Sequence, residues 1–515
     1  MVFNVIRELS SYGGSTSLNF LSQASGIPID QVNFIFCQLV ALFLSFFFKA
    51  QIKKAESRLW FCLLSGIVIT VFCFGSQIGH IILMGGLCYA TMNLYQSSNM
   101  PWAVTIISMT YMSVLHLKRQ FLEPGNYSLD ITGPMMVLTQ KVSSLAFSVR
   151  DGRNQKKSDV KLTELQTRYA VERKPSFFEF TSFTFQFQSM LAGPLVMYKD
   201  FHDFIITENV PSSAGIVARK LVTSVFFAVV FVTLGPFVKA STLTDHEFLD
   251  NMYFINKVIY IICVTTIERT KYHHAWILAD AVCNASGLGY DHTKKTWDLT
   301  TNVRPFDFEC GLSFKETLDH WNIGTGKWLR HIIYERVHPN IRTVLTYMVS
   351  AMWHGFYPGY YITFLTGALI TSSARTVRRH IRPYFTQSST MKTLYDISTW
   401  TASRVAIAYC TFTFILLEFE PGFVILKKIY FFLHILCLVA ILAVPKLLPA
   451  TGAKTKADNS SKNSVSKHAT TNGNLNDSTN SNPKVSVNGD AAPLTNKING
   501  FSSDVPASST KLKTG

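Results

Sequence analysis

Apolar residues in this chain come in long blocks separated by short polar stretches. Continuous apolar runs lie at about residues 32–49, 59–74, 78–95, 102–117, 221–238, 254–267, 341–370, 402–417 and 424–444. Each is long enough to enter or cross a hydrocarbon core of about 30 Å as a helix. The run at 135–149 is shorter and mixed, which predicts an interior or interfacial helix. Residues 177–201 interleave phenylalanine with Thr, Ser and Gln and are broken by Gly193-Pro194, which suits a re-entrant or interfacial segment. The pattern predicts an all-α polytopic membrane protein, with about ten transmembrane or re-entrant helices around a buried chamber, over residues 1–449. Residues 450–515 are Ser, Asn, Thr, Lys and Gly, cannot bury a core, and are expected to form a disordered cytosolic tail.

Composition agrees. Of 515 residues 48% are hydrophobic and only 16% charged, against about 25% charged in soluble domains. The net charge of +16 therefore gathers between the runs, as at 150–174 and 375–392. Positive-inside topology accounts for most of it, with anionic headgroups or a polyanionic substrate as further partners and no nucleic acid implied. No basic head, apolar core and cleavage site open the chain, so no cleavable signal peptide is expected. The nine cysteines show no metal or disulfide spacing, and Cys37, Cys62, Cys73, Cys88, Cys263, Cys410 and Cys437 read as small core residues.

One histidine stands apart. His354 lies inside the 341–370 run and is followed by Gly355, Pro358 and Gly359, three poor helix formers. An ionisable residue at membrane depth is a functional candidate, and broken backbone there must line a cavity or be covered by protein. His354 thus reads as an imidazole presented at an interrupted helix beside a chamber. His80, His116 and His434 lack that framing and read as packing or interfacial residues. Arg269-Thr270-Lys271-Tyr272-His273-His274-Ala275-Trp276 reads as a basic and aromatic belt at a span entrance. No carboxylate or cysteine sits at ligand spacing from its histidines, so no metal is expected. In the polar insertion 291–340, Asn322 reads as a helix cap. Trp321, Trp328 and Leu329 read as apolar anchors of an amphipathic helix, with Lys327 and Arg330 facing headgroups.

Trp353-His354-Gly355-Phe356-Tyr357-Pro358-Gly359-Tyr360 resembles the hallmark of the membrane-bound O-acyltransferase (MBOAT) family. The segment 269–276 resembles its basic-aromatic motif, with His273 where tyrosine is usual. Trp297-Asp298 resembles its tryptophan-aspartate motif, and Trp321-Asn322-Ile323 matches the segment carrying its asparagine. The resemblance spans about residues 14–445, and the opening stretch is similar to the lysophospholipid acyltransferase branch, especially members acting on lysophosphatidylethanolamine and lysophosphatidylserine. The resemblance implies transfer of an acyl chain from acyl-CoA, a co-substrate rather than a bound cofactor, to the hydroxyl of such a lysophospholipid or of lysophosphatidylcholine, in the endoplasmic reticulum membrane. It makes His354 the general base and Asn322 the polar partner of the oxyanion. Trp353, Gly355, Pro358, Gly359, Tyr360, Trp321, Trp297 and Asp298 become supporting motif residues. Arg269, Lys271, Tyr272 and Trp276 become candidates to meet CoA or a headgroup. Two other readings remain open: a family relative acting on a protein, sterol or diacylglycerol, and a transporter or scramblase. The terminal Lys511 and Lys513 match a cytosolic retrieval signal.

Overall fold

A computed structural model of the protein describes residues 13–122, 128–155, 160–207 and 209–448. The expected tail, with Lys511 and Lys513, lies outside the described residues, as does the boundary at residue 449. Within them the chain is helical, and the strand-like pairing recorded is an isolated antiparallel bridge between Asp291 and Thr296. The helices that position the site are α1 (Ile29–Gln51), α2 (Ala55–Phe74), α3 (Ile78–Leu94), α4 (Met100–Leu122), α5 (Thr132–Gln155), α6 (Ala214–Leu234), α7 (Phe254–Ser286), α8 (Ile323–Leu329), α9 (Arg342–His354), α10 (Pro358–His380) and α11 (Ser389–Leu416).

Four stretches among the described residues are long and apolar enough to cross a membrane: α1, the 40-residue α2–α3 stretch, α4 and α6. The pair Phe419–Lys428 and Phe432–Leu447, bent by 72°, makes a fifth if taken as one span. The ten or so helices expected counted re-entrant ones as well as full spans. The apolar runs around His354 and after residue 254 fall short for two physical reasons: α9 has only 13 residues, and α7 carries Lys257, Glu268, Arg269 and Lys271 along its length. The outward character of α6 is clear, because only 11% of its apolar window is buried inside the protein.

The interior is built on α5. Nearly every residue from Leu138 to Val149 is buried, although the helix holds Thr139, Gln140, Lys141, Ser143, Ser144 and Ser148. Burying such groups is tolerable when they are hydrogen-bonded. Ser143 Oγ donates to the Thr139 carbonyl at 2.6 Å and Lys141 Nζ to the Phe183 carbonyl at 3.0 Å. The interior reading of this stretch therefore holds. Residues 177–201 are broken as expected, into a helix at Phe177–Thr184, a run of turns, and a second helix beginning at Tyr198. The basic stretch after residue 150 opens as the end of α5, up to Gln155, where Asp151 forms a buried two-bond ion pair with Arg336. Cys263 is exposed rather than in the core.

Candidate functional site

His354 is the last residue of α9. Gly355 follows at φ +126°, a conformation that favours glycine, and Pro358 opens α10 at its first turn, where a missing N–H costs nothing. The glycine–proline framing thus makes a sharp exit and re-entry that leaves the imidazole at the break. Around it stand rings. Phe364 stacks at 5.2 Å, Phe414 meets it edge-on at 5.0 Å, and Trp353 and Tyr360 lie at 4.6 and 5.7 Å. The ring is half-buried and makes no hydrogen bond among the described residues.

The break is pinned from several sides. Trp353 is buried, donates from Nε1 to the Met136 carbonyl at 3.0 Å, and packs on Trp328 at 5.7 Å. His116, from α4, places Nε2 at 3.2 Å from the Trp353 carbonyl. A carbonyl only accepts, so Nε2 carries the proton and His116 donates. This histidine, read from sequence as a packing residue, touches the chain one peptide before His354. Gly359 donates its N–H to the Leu417 carbonyl at 2.6 Å, and a Cβ there would stand 2.1 Å from the Thr413 carbonyl oxygen. Tyr360 lies 4.6 Å from Phe414.

Asn322 precedes α8 in the left-handed region, φ 45° and ψ 52°, and its side chain makes no capping hydrogen bond. The cap reading therefore fails, and a non-glycine residue in this conformation is held there by its surroundings. The holder is Asn302, a buried residue that sequence reasoning missed. Its carbonyl accepts from Ile323 N–H at 2.8 Å, its Oδ1 accepts from Gly324 N–H at 2.9 Å, and its Nδ2 donates to Asn322 Oδ1 at 3.3 Å. The Asn322 Nδ2–H group has no partner among the described residues.

α8, which Asn322 precedes, lies against α9, which ends at His354. Trp328 is fully buried and donates from Nε1 to Ser143 Oγ at 2.8 Å, while Leu329 is buried beside it. These residues are core rather than membrane-facing anchors. Trp321 is gathered into an aromatic cluster with Tyr272, His273, Trp276 and Phe308, at 6.1, 5.5, 4.9 and 5.2 Å. The Trp297-Asp298 turn is tied down: the Trp297 carbonyl accepts from Lys220 Nζ and from Asn284 Nδ2, both at 3.3 Å, and Asp298 accepts from Arg304 at 2.9 Å and from Thr296.

The basic candidates are already engaged. Arg269 is buried and paired with Glu309 at 2.9 Å, a carboxylate it shares with Arg404 at 2.9 Å, and Lys271 pairs with Glu268 at 2.5 Å. Arg269 Nη1 and Arg404 Nε, both buried, have no hydrogen-bond partner among the described residues. A second charged region, absent from the sequence reading, borders a cleft of about 240 Å³ lined in part by Arg168, Lys199, Asp200, Tyr290 and Asp291. Burial lifts the Asp200 carboxyl to about 6, against the pull of Lys327 and Arg168. The same burial lowers the Lys327 ammonium from its usual range.

The sequence profile of the membrane-bound O-acyltransferase family matches residues 117–417, a stretch that begins just after His116 and contains Asn302, Asn322 and His354. The chain is similar to the lysophospholipid acyltransferase 6 of Drosophila melanogaster, 39% identical over 469 residues, covering 86% of this chain and 65% of the fly protein. It is similar to the human membrane-bound glycerophospholipid O-acyltransferase 1, 38% identical over 460 residues, covering 84% of this chain and 92% of that one. A lysophospholipid acyltransferase of Schizosaccharomyces pombe is 30% identical over 456 residues, with 82% and 87% covered.

Proposed function

The chain belongs to the membrane-bound O-acyltransferase family, and from that premise we propose that it moves an acyl chain from acyl-CoA to the free hydroxyl of a lysophospholipid. The observation that carries this reading is the unbonded imidazole of His354 at a helix break, with the unpartnered amide N–H of Asn322 on the neighbouring element. The acceptor hydroxyl gives its proton to His354 as its oxygen attacks the thioester carbonyl. The negative charge that gathers on that carbonyl oxygen is met by the Asn322 Nδ2–H donor. Collapse of the tetrahedral adduct breaks the carbon–sulfur bond, and the CoA thiolate leaves and takes the proton back from the imidazolium. Both substrates react in one complex, and no acyl-enzyme is needed.

The acceptors proposed are lysophosphatidylethanolamine, lysophosphatidylserine and lysophosphatidylcholine, within a multi-pass protein of the endoplasmic reticulum membrane. For the CoA phosphates, Arg269 and Lys271 are the proposed cations, each exchanging its present carboxylate, Glu309 or Glu268, for phosphate oxygen. Purified protein supplied with a panel of lysophospholipids and acyl-CoAs, read by mass spectrometry, should yield diacyl phospholipid and free CoA in equal amounts. Product only with a protein, sterol or diacylglycerol acceptor would move the protein to another branch of the family. Lipid flux across liposomes without acyl-CoA consumption would replace transfer with transport. The Asn459-Ser460-Ser461 and Asn476-Asp477-Ser478 triplets report topology, since a cytosolic placement predicts no glycosidase-sensitive mass shift at either.

A further inference from the structure

We propose that Asn302 is a positioning residue that sets which end of the Asn322 amide faces the reacting carbonyl; the inference rests on the donor role given to Asn322 above. An asparagine side chain has two chemically opposite ends, an oxygen that only accepts and a nitrogen that only donates. Stabilising an oxyanion demands the nitrogen. An amide free to rotate about its last bond spends part of its time with the oxygen forward, which repels the developing charge. Something must choose.

The hydrogen bonds of Asn302 make that choice. Its own amide cannot turn over, because Oδ1 is engaged by the Gly324 N–H at 2.9 Å and a backbone N–H accepts nothing. With Oδ1 so fixed, Nδ2 is the atom left to face Asn322, and it donates to Asn322 Oδ1 at 3.3 Å. That engages the oxygen end of Asn322 and turns its Nδ2–H group the other way. The Asn302 carbonyl adds a bond from Ile323 N–H at 2.8 Å, so the segment carrying Asn322 is gripped at consecutive residues. Asn302 is only 3% exposed, so water does not compete for these contacts. Gly324 is small for the same reason: a Cβ there would stand 3.1 Å from Asn302 Oδ1. The polarity of the site is thus passed from a backbone amide, through one side chain, to the next.

The test is a substitution that keeps shape and reverses polarity. Asn302→Asp retains an acceptor for the Gly324 N–H but presents an acceptor to Asn322 as well, so the Asn322 amide turns over to donate to it and shows its oxygen to the substrate. Turnover per folded molecule should fall about 10²-fold, in the range for a lost oxyanion donor. KM for both substrates should stay within about threefold, since ground-state binding does not use this donor. Asn302→Ala, which frees the Asn322 amide without reversing it, should lose about tenfold, and it decides the matter if the aspartate variant does not fold. In an Asn322→Ala background neither change should cost more, because there is no amide left to orient. Asn302→Asp at wild-type turnover beside an inactive Asn322→Ala would overturn the inference and leave the donor role of Asn322 standing. A further loss of about tenfold on top of Asn322→Ala would overturn it too, by showing Asn302 to act through the fold. Asn322→Ala at wild-type turnover would remove the donor role itself, and this inference with it.

Discussion

Around His354 the neighbours are rings, and around Asn322 they are hydrogen-bonding groups. Trp353, Tyr360, Phe364 and Phe414 crowd the imidazole without bonding to it, and the helix break that presents it is fixed from behind, at the Trp353 carbonyl, the Trp353 indole and the Gly359 N–H. Asn322 is gripped directly, by one buried residue that bonds to its side chain and to the two residues after it. The difference follows from what each group has to do. A base must take a proton and release it, so a permanent partner on its accepting nitrogen would be in the way; shape and apolar contact locate it and keep water off. A donor does its work by pointing, and pointing is what a directional bond to its far end provides.

Removing the groups themselves gives the largest effects and breaks the comparison at its root. His354→Ala should lower turnover by about 10²–10⁴-fold with the amount of protein in the membrane unchanged. His80→Ala and His434→Ala should keep activity. The first histidine bonds Tyr111 at 2.8 Å; the second bonds Tyr409 and Thr366 at 2.7 and 3.1 Å, a satisfied structural network. A His354→Ala enzyme with more than about a tenth of normal turnover would take the imidazole out of the chemistry. Next in size is Asn322→Ala, expected to cost about 10²–10³-fold in turnover per folded, detergent-extracted molecule. The buried Asn302 Nδ2–H loses its acceptor, so some stability goes as well; a mere helix cap would lose about 1 kcal/mol of stability with turnover per folded molecule intact.

The smallest effect sharpens the comparison by acting on the support of His354. His116→Leu deletes the 3.2 Å bond to the Trp353 carbonyl and should cost about tenfold in turnover, the equivalent of one hydrogen bond. His116→Gln can still offer an N–H to that carbonyl and should recover most of it. If Leu and Gln behave alike, His116 fills space and nothing more.

Much of this was readable in the chain. Gly355, Pro358 and Gly359 announce a break after an apolar run, and the break is there, with Pro358 at the first turn of α10. The all-helical character and the interior position of α5 follow from apolar periodicity and its polar interruption. What stayed hidden depends on partners far off in sequence. Asn302 sits 20 residues from Asn322 and His116 237 residues from Trp353, and neither carries a local signature, since a lone Asn or His in a mixed stretch has many ordinary uses. Arg269 looked like a free cation because Glu309 is 40 residues away, and Trp328 looked like a membrane anchor because Ser143, which bonds its indole, lies 185 residues before it. An apolar run also does not reveal how many residues its helix will keep: the run at 341–370 is cut at His354, where α9 ends after 13.

The contact at Gly359 has a consequence for motion. Its N–H lies 2.6 Å from the Leu417 carbonyl, at a residue itself strained to φ 64°, so α10 and the end of α11 touch backbone to backbone. Phe364 rides on α10 and Phe414 on α11, so the rings beside His354 are mounted on a single stiff frame. Moving α10 and α11 apart at this point would break that backbone bond, whereas turning Phe364 or Phe414 about its own side-chain bonds would not.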